Sequence, residues 1–255
     1  MDTLISVFLL GMGLAVGSFL NVCIYRLPLR ESLMWPASHC TSCNRPLAWF
    51  ENIPVAGWLA LRGRCRTCKA RISAQYPLVE ALTGAVFVAG YLLYGWTPLL
   101  AVRLLFACAM IVLFFIDLRH QILPNVVTLP GIVVGFLASL ALPPGWLSSL
   151  IGIMAGGGVL FAISEIYYRT RGHEGLGMGD VKMLAMIGAF LGWPLMLLTL
   201  VFASFAGSLV GVGLLATGRG GMKAALPFGT FLAVGALVAT AFGDPILDWY
   251  LGYYR

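Results

Sequence analysis

The sequence predicts an all-α polytopic membrane protein with about eight transmembrane helices and a small polar segment between the first and the second. Of its 255 residues, 60% are hydrophobic and only 10% are charged, and the mean hydropathy is +0.93. A soluble domain exposes much more polar surface, with about a quarter of its residues charged. The lipid bilayer is therefore the expected surroundings of most of this chain.

Apolar runs separated by breaks rich in glycine and proline give the positions of the spans. The first run, residues 3–25, lacks the basic residues that open a cleavable signal peptide, so we expect a retained span. The other spans are expected at 78–94, 99–116, 126–142, 147–168, 182–193, 196–216 and 228–243. The run 182–193 is short for a full crossing, so we expect it to tilt or to continue through the next break.

Positive charge indicates the orientation of these spans. Fourteen of the sixteen Lys and Arg residues lie in the segment after the first span or in alternate loops beyond it, and the loops at 95–98, 143–146 and 193–195 hold none. Positive loops face the cytoplasm, so we expect the polar segment inside and both termini outside. The net charge of +6 thus reflects topology. Without a stripe of arginines and aromatic residues, we expect membrane lipid and no nucleic acid as a partner.

Four of the six cysteines form two CxxC motifs in the polar segment. Cys40 and Cys43 make the first motif, Cys65 and Cys68 the second, and 21 residues separate them. Two such turns complete a tetrahedral zinc site, whereas disulfides are disfavoured in a reducing cytoplasm. Four thiolates leave no open coordination position. The pattern therefore predicts one structural Zn²⁺ that stabilises a segment too small for its own core.

Two of the ten acidic residues stand at the ends of apolar runs. Asp117 directly follows the run 104–116, and Asp180 directly precedes the run 181–191. Taken singly, Asp180 reads as a helix N-cap and Asp117 as a helix-end residue paired with Arg119. Taken together, both are expected at the cytoplasmic ends of spans, where acidic groups are costly and usually functional.

A pair of carboxylates at one site predicts aspartic-protease chemistry. Two like charges held close share one proton, so the ionised carboxylate acts as a base on water and the protonated one polarises a scissile carbonyl. The glycines before Asp180 would let a substrate backbone approach closely. Lys182 could bias the pair, although a lipid headgroup contact is the simpler expectation. His173 and Glu174 lack a second His or Cys that would make a metal site.

Five motifs in order resemble one family. They lie at residues 17–28, 40–80, 117–125, 174–182 and 226–229, and they cover nearly the whole chain. The stretch that begins Asp117-Leu-Arg-His-Gln and the stretch that ends Gly177-Met-Gly-Asp180 resemble the two catalytic motifs of the type IV prepilin peptidases, bacterial membrane aspartic proteases of the GxGD type. The resemblance implies that Asp117 and Asp180 are the catalytic residues. The chain departs from the family pattern at Arg119 and Asn125, where an aspartate is common.

The resemblance also implies substrates and a second activity. Such enzymes remove a basic leader from prepilins and type II secretion pseudopilins, after a glycine, at the cytoplasmic face of the inner membrane. Members with the four cysteines typically also methylate the new N-terminal residue with S-adenosylmethionine. Weak candidates for binding that methyl donor lie in or beside the cysteine segment: Glu51, Asn52, Gly63 and Glu80.

The expected organisation is a first span at 1–25, a cytoplasmic segment at 26–77 that is associated with methyl transfer, and a peptidase domain at 78–255. Three rival readings remain open. One is a preflagellin-type peptidase without methylation, another is a transporter that uses the aspartates for ions or protons, and the third is a membrane scaffold. No oligomeric state follows from the sequence.

Overall fold

The computed structural model describes residues 2–171, 177–217 and 226–253, and these ranges are predominantly helical. The polar segment contains a short 3-10 helix, Trp49–Asn52, and the short helix α2, Ala56–Ala60. Seven longer helices account for the rest of the regular structure: α1 (Asp2–Leu29), α3 (Gln75–Tyr94), α4 (Pro98–His120), α5 (Asn125–Ser139), α6 (Trp146–Arg171), α7 (Met178–Ala216) and α8 (Phe228–Gly252). The predicted all-α membrane fold is confirmed.

The eight predicted spans follow these seven helices, because the runs 182–193 and 196–216 are the two halves of α7, which meet at a break at Gly192. Six of the helices in the described ranges are long and apolar enough to cross a membrane. The exception is α5, whose 15 residues rise only about 22 Å, less than the roughly 30 Å of a bilayer core. The chain is therefore a multi-pass membrane protein, and its exact number of crossings stays a prediction.

The first of two compact units comprises residues 1–100. Its helices α1 and α3 pack with their backbones nearly in contact. A Cβ built on Gly13 would lie 2.8 Å from Gly84 Cα, and one built on Gly17 would lie 2.7 Å from Glu80 Cα. Small residues four apart on one helix face are the usual means by which membrane helices approach closely.

Two buried polar residues of α1 fasten this helix to the polar segment. Asn21 donates from Nδ2 to the Tyr76 carbonyl at 3.0 Å. Arg26 donates to the carbonyls of Ser32 and Pro36 at 2.9 and 2.6 Å. Both side chains are buried. Asn21 thus ties α1 to the first turn of α3, and Arg26 fixes the turn after α1.

The second unit comprises residues 101–255 and has a core centred on α7. Its buried side chains come from α4, α6, α7 and α8, and include Phe106, Met110, Leu113, Leu160, Met183, Leu184, Ile187 and Leu232. Helices α6 and α7 cross through glycines, since Gly152 Cα and carbonyl face the backbone of Gly188. The predicted division at 25 and 77 stays a prediction.

We expect Gly152→Ala to destabilise the protein, because the new methyl group would lie 2.9 Å from Gly188 Cα. Overpacking of this kind costs about 1–3 kcal/mol, more than the roughly 1 kcal/mol that alanine gains in helix propensity. Thermal unfolding in detergent would measure the effect. Gly158→Ala on the same helix is the matched control, since a Cβ there meets nothing within 4 Å. Equal melting temperatures for the two variants would contradict the close crossing.

Helix α7 is broken near its middle. Gly192 has φ 77° and ψ 173°, which lie far from helical values. Pro194 follows in the first turn of the second half, where its missing N–H costs nothing. The predicted break at Gly-Trp-Pro is thus present, as a sharp change of direction at Gly192. Whether the short run 182–193 tilts or crosses together with the next run stays a prediction.

Candidate active site

Asp117 lies in the last turn of α4 and is buried, with 4% of its surface exposed. Met110, Leu113 and Asp117 are three and four residues apart, so they share one face of the helix. The first two belong to the hydrophobic core. The carboxyl group of Asp117 is therefore carried into the protein interior by the same apolar face that anchors α4.

The first turn of α8 binds this carboxylate. The backbone N–H of Thr230 donates to Asp117 Oδ2 at 2.7 Å, and the Thr230 hydroxyl donates to the same oxygen at 3.1 Å. First-turn N–H groups have no partner within their own helix, and the helix dipole favours an anion there. A Cβ on Gly229 would lie 3.0 Å from Asp117 Oδ2, so a glycine is needed for this approach.

Asp117 therefore does not serve as a simple helix-end partner of Arg119, because its described hydrogen bonds go to Thr230. Sequence reasoning missed Thr230. The available signal was its position directly after the Leu226-Pro-Phe-Gly229 motif, where a helix start had been expected.

Asp180 is the third residue of α7, and Gly177 is the N-cap. The reading of Asp180 as the N-cap is therefore wrong. The glycines around it allow close packing on both sides. A Cβ on Gly177 would lie 3.4 Å from Asp180 Oδ2, and one on Gly179 would lie 2.9 Å from Leu123 Cβ. The connection between α4 and α5 thus lies directly against the start of α7.

Asp117 and Asp180 line one cavity of about 290 Å³. It is bounded by the end of α4, the start of α5 and the start of α7: Asp117, Gln121, Ile122, Leu123, Asn125, Gly177, Gly179 and Asp180. Beside Asp180, the cavity wall is the glycine backbone of Gly177 and Gly179. The cavity wall also includes the buried carboxylate of Asp117, whose Oδ2 accepts hydrogen bonds from Thr230. The structure thus brings the two predicted aspartates to one space large enough for a short extended segment of peptide.

Lys182 donates from Nζ to Asn125 Oδ1 at 2.9 Å. This bond joins the fifth residue of α7 to the first residue of α5. Lys182 thus has a partner within the protein, and the expected lipid headgroup contact stays a prediction. Asn125, one of the two departures from the family pattern, lines the cavity. His173 and Glu174 lie outside the described residues.

The four predicted cysteine ligands converge. The Sγ atoms of Cys40, Cys43, Cys65 and Cys68 all lie within 4.8 Å of one another, and Cys40 and Cys68 are 3.8 Å apart. With metal–sulfur bonds of about 2.3 Å, a tetrahedral Zn²⁺ site places its sulfurs about 3.8 Å apart. The donor set and its spacing fit a structural metal ion.

The two cysteine turns have the same backbone design. Cys40 N–H donates to the Arg45 carbonyl at 2.9 Å, and Cys65 N–H donates to the Ala70 carbonyl at 2.9 Å. An isolated β-bridge closes each turn, between His39 and Pro46 in the first and between Arg64 and Arg71 in the second. The residue after each second cysteine, Asn44 or Lys69, has a positive φ. Each turn therefore aims its two sulfurs at a common point.

Without a metal ion, the cysteines of the cluster hold their protons unequally. Backbone N–H groups of Cys68 and Thr67 donate toward Cys65 and lower its pKa to about 6, toward the thiolate that binds metal. Despite the backbone N–H of Ala70, desolvation and the neighbouring thiols raise the pKa of Cys68 to about 11. Close thiols thus share protons that a metal ion would displace.

The four weak candidates for binding the methyl donor lie in or beside the polar segment, and three of them make contacts within it. Glu51 is buried and accepts from Arg45 at 2.7 Å and from the Ala48 N–H at 2.8 Å, and the Arg45 side chain holds the pKa of Glu51 below its usual value. Glu80 accepts from the Val55 N–H at 2.7 Å. Gly63 packs on the Trp58 ring. Asn52 is exposed. These residues organise the polar segment, and their part in methyl-donor binding stays a prediction.

Comparison with known proteins agrees with this arrangement. Residues 12–94 match the bacterial peptidase A24 N-terminal domain, and residues 104–212 match the type IV leader peptidase family. A Myxococcus xanthus protein named prepilin leader peptidase/N-methyltransferase is 46% identical over 224 residues, which are 86% of this chain and 66% of that protein. Proteins of the same name from Aeromonas salmonicida and Pseudomonas putida are 40% and 36% identical, over 94% and 92% of this chain and 91% and 90% of theirs.

No solved structure matches the chain. The two family matches together include Asp117, Asp180 and all four clustered cysteines. By its matched domains and by its identity to relatives over most of their length, the chain belongs to the type IV leader peptidase family.

Proposed function

We propose that this protein cleaves the leader peptide from type IV prepilins and type II secretion pseudopilins and methylates the new N-terminal residue. The observation that carries the peptidase activity is the meeting of Asp117 and Asp180 at one cavity, in a chain of the type IV leader peptidase family. Methyl transfer is supported by the names of relatives that match over most of their length.

In the proposed reaction, one aspartate acts as a base and the other as an acid. The ionised carboxylate takes a proton from water as the water oxygen bonds to the carbonyl carbon of the scissile peptide. The protonated carboxyl donates to the carbonyl oxygen, and a proton then passes to the leaving amine as the C–N bond breaks. Thr230 already holds Oδ2 of Asp117. Oδ1 is therefore the oxygen that would meet water or substrate.

The position of the site suits a substrate that is itself a membrane helix. Both aspartates lie at the ends of long apolar helices. The distribution of basic residues supports a cytoplasmic position for these ends, with both termini outside. A basic leader on the cytoplasmic side would thus reach the cavity without extraction of the substrate helix from lipid, and water would reach the same place.

We further propose that the four cysteines hold one structural Zn²⁺. Such an ion would cross-link the two cysteine turns and so order the polar segment. S-adenosylmethionine is the proposed methyl donor. The candidates for binding it are Glu51, Asn52, Gly63 and Glu80, in or beside the cysteine segment.

A cleavage assay tests the proposed function. Purified protein in detergent or vesicles is incubated with a prepilin, and leader loss is followed by the shift in substrate mass. Labelled S-adenosylmethionine in a parallel reaction reports methyl transfer to the cleaved product. We expect both products from the wild-type protein. An intact prepilin after prolonged incubation would contradict the proposal, and cleavage without methyl transfer would leave a peptidase alone.

We expect Thr230→Val to lower the cleavage rate about tenfold, because it removes the hydroxyl that donates to Asp117 Oδ2 but leaves the backbone donor. Gly229→Ala should lower the rate further, since the new methyl group would lie 3.0 Å from that same oxygen. Single-turnover cleavage would measure both rates. Thr199→Val, which removes a buried hydroxyl bonded within its own helix, is the control. A wild-type rate for Gly229→Ala would contradict the described approach of α8.

A further inference from the structure

The break in α7 leaves the last backbone carbonyls of its first half without partners in their own helix, in a buried part of the protein. Because Gly192 is not helical, the first half of α7 ends there, and its last carbonyls cannot accept from the next turn. Pro194 has no N–H to offer to Phe190. Unpaired carbonyls are costly where water is absent, so neighbouring helices must supply donors.

Two buried side chains from other helices supply them. Ser149 of α6 donates from Oγ to the Ala189 carbonyl at 2.8 Å. Arg103 of α4 donates from Nη1 to the Phe190 carbonyl at 3.1 Å. The exposed fractions of Ser149 and Arg103 are 0% and 7%. A buried arginine in a membrane helix is expensive, and such residues usually serve a function.

The same half-helix carries Asp180 at its other end. Negative charge suits the start of a helix and positive charge suits its end, so Asp180 and Arg103 complement the dipole of the first half of α7 from opposite ends. Arg103 also lies on the helix that carries Asp117, about 21 Å away along its axis. Rings of Phe106 and Phe190, with centroids 5.0 Å apart, reinforce the contact beside Arg103.

We propose that Arg103 and Ser149 are positioning residues that hold the broken end of α7, and thereby hold Asp180 in place opposite Asp117. At the break, Arg103 then joins helix α4 to the first half of α7. At the opposite ends of these two helices, Asp117 and Asp180 line the cavity. A rotation or slide of the half-helix at its broken end would move Asp180 relative to Asp117. This inference rests on the proposed peptidase function.

Cleavage kinetics of three variants test it. Arg103→Met keeps the length and apolar stem but removes the donor and charge, and we expect kcat to fall at least tenfold with KM within about twofold. Misplacement of a reacting group by 1 Å can cost about 100-fold, which makes a loss of this size reasonable. Ser149→Ala should lower kcat about threefold. Arg103→Lys, which restores a cationic donor, should recover most of the kcat lost in Arg103→Met.

Controls separate positioning from a general loss of fold. Metal content and size-exclusion profile are compared for every variant, and Thr199→Val removes a buried hydroxyl from α7 that caps no broken carbonyl. If the Arg103→Met protein does not accumulate in the membrane, the kcat values of Ser149→Ala and Arg103→Lys test the inference. Wild-type kcat in Ser149→Ala, or a raised KM with unchanged kcat in either Arg103 variant, would overturn the inference. Wild-type protein that does not cleave prepilin would instead overturn the proposed function.

Discussion

Replacement of either cavity aspartate by asparagine should abolish leader cleavage. We expect Asp117→Asn and Asp180→Asn each to lower the rate about 1,000-fold or more, within the range that general acid–base groups contribute. Asparagine keeps the size and the hydrogen-bonding oxygen but cannot exchange a proton. The loss would therefore report proton transfer, since the shape of the cavity is preserved. Single-turnover cleavage of a prepilin, followed by mass, would measure it.

The double variant sharpens this test. If the two carboxyls act as one unit, Asp117→Asn with Asp180→Asn should cleave no more slowly than either single variant. Asp248→Asn is the matched control, because Asp248 is an exposed aspartate on α8 that does not line the cavity. It should cleave at the wild-type rate. Wild-type rates in both single variants would refute the two-aspartate mechanism.

The helices could be predicted from the sequence because a long apolar run has one stable backbone structure in lipid, the α-helix. Backbone groups must pair within the run, so a run of this length becomes a helix whatever its neighbours are. The polar segment was readable for another reason. Each CxxC turn fixes the relative positions of its own two cysteines. The fold then only has to bring the two turns together for Cys40, Cys43, Cys65 and Cys68 to form one site.

The residues that hydrogen-bond to the site could not be predicted from the sequence, because these contacts depend on packing between residues that are distant along the chain. Thr230 lies 113 residues after Asp117 along the chain, and its position after the Leu226-Pro-Phe-Gly229 motif marks a helix start without indicating which group that start binds. The side chains that bond to the broken end of α7 could not be predicted for the same reason. Arg103 is 87 residues from Phe190, and it appeared in the sequence only as a basic residue that the charge pattern did not explain.

The position of Asp180 shows a finer limit. Aspartate before an apolar run commonly caps a helix, and the N-cap reading followed from that preference. With Asp180 as N-cap the helix would begin at Val181, but it begins at Met178, three residues earlier, so the carboxyl lies in the first turn. A shift of three residues changes what the side chain faces, because each helical residue rotates the direction by about 100°. As a result, Asp180 lines the cavity and does not cap the helix.

Removal of the metal ligands should separate the two proposed activities. We expect a variant with both Cys40→Ser and Cys43→Ser to lose its bound metal, because two of four thiolates cannot close a tetrahedral site. Structural zinc contributes about 10–16 kcal/mol of apparent binding free energy in small peptides, far more than a segment of this size gains from its core. Metal analysis and hydrogen exchange of residues 38–74 would measure the loss.

Methyl transfer should then fall by at least about tenfold, while leader cleavage should stay within about threefold of the wild-type rate. The reason is that Asp117, Asp180 and Thr230 all belong to the compact unit 101–255, whose core contains none of the cysteine segment. Cys108→Ala is the control, since this cysteine lies in α4 outside the cluster, and it should keep full metal content. Full metal in the double serine variant would refute the four-cysteine site. An equal loss of cleavage and methyl transfer would instead mean that the ordered cysteine segment is needed for both reactions, which would make the metal a support of the whole enzyme.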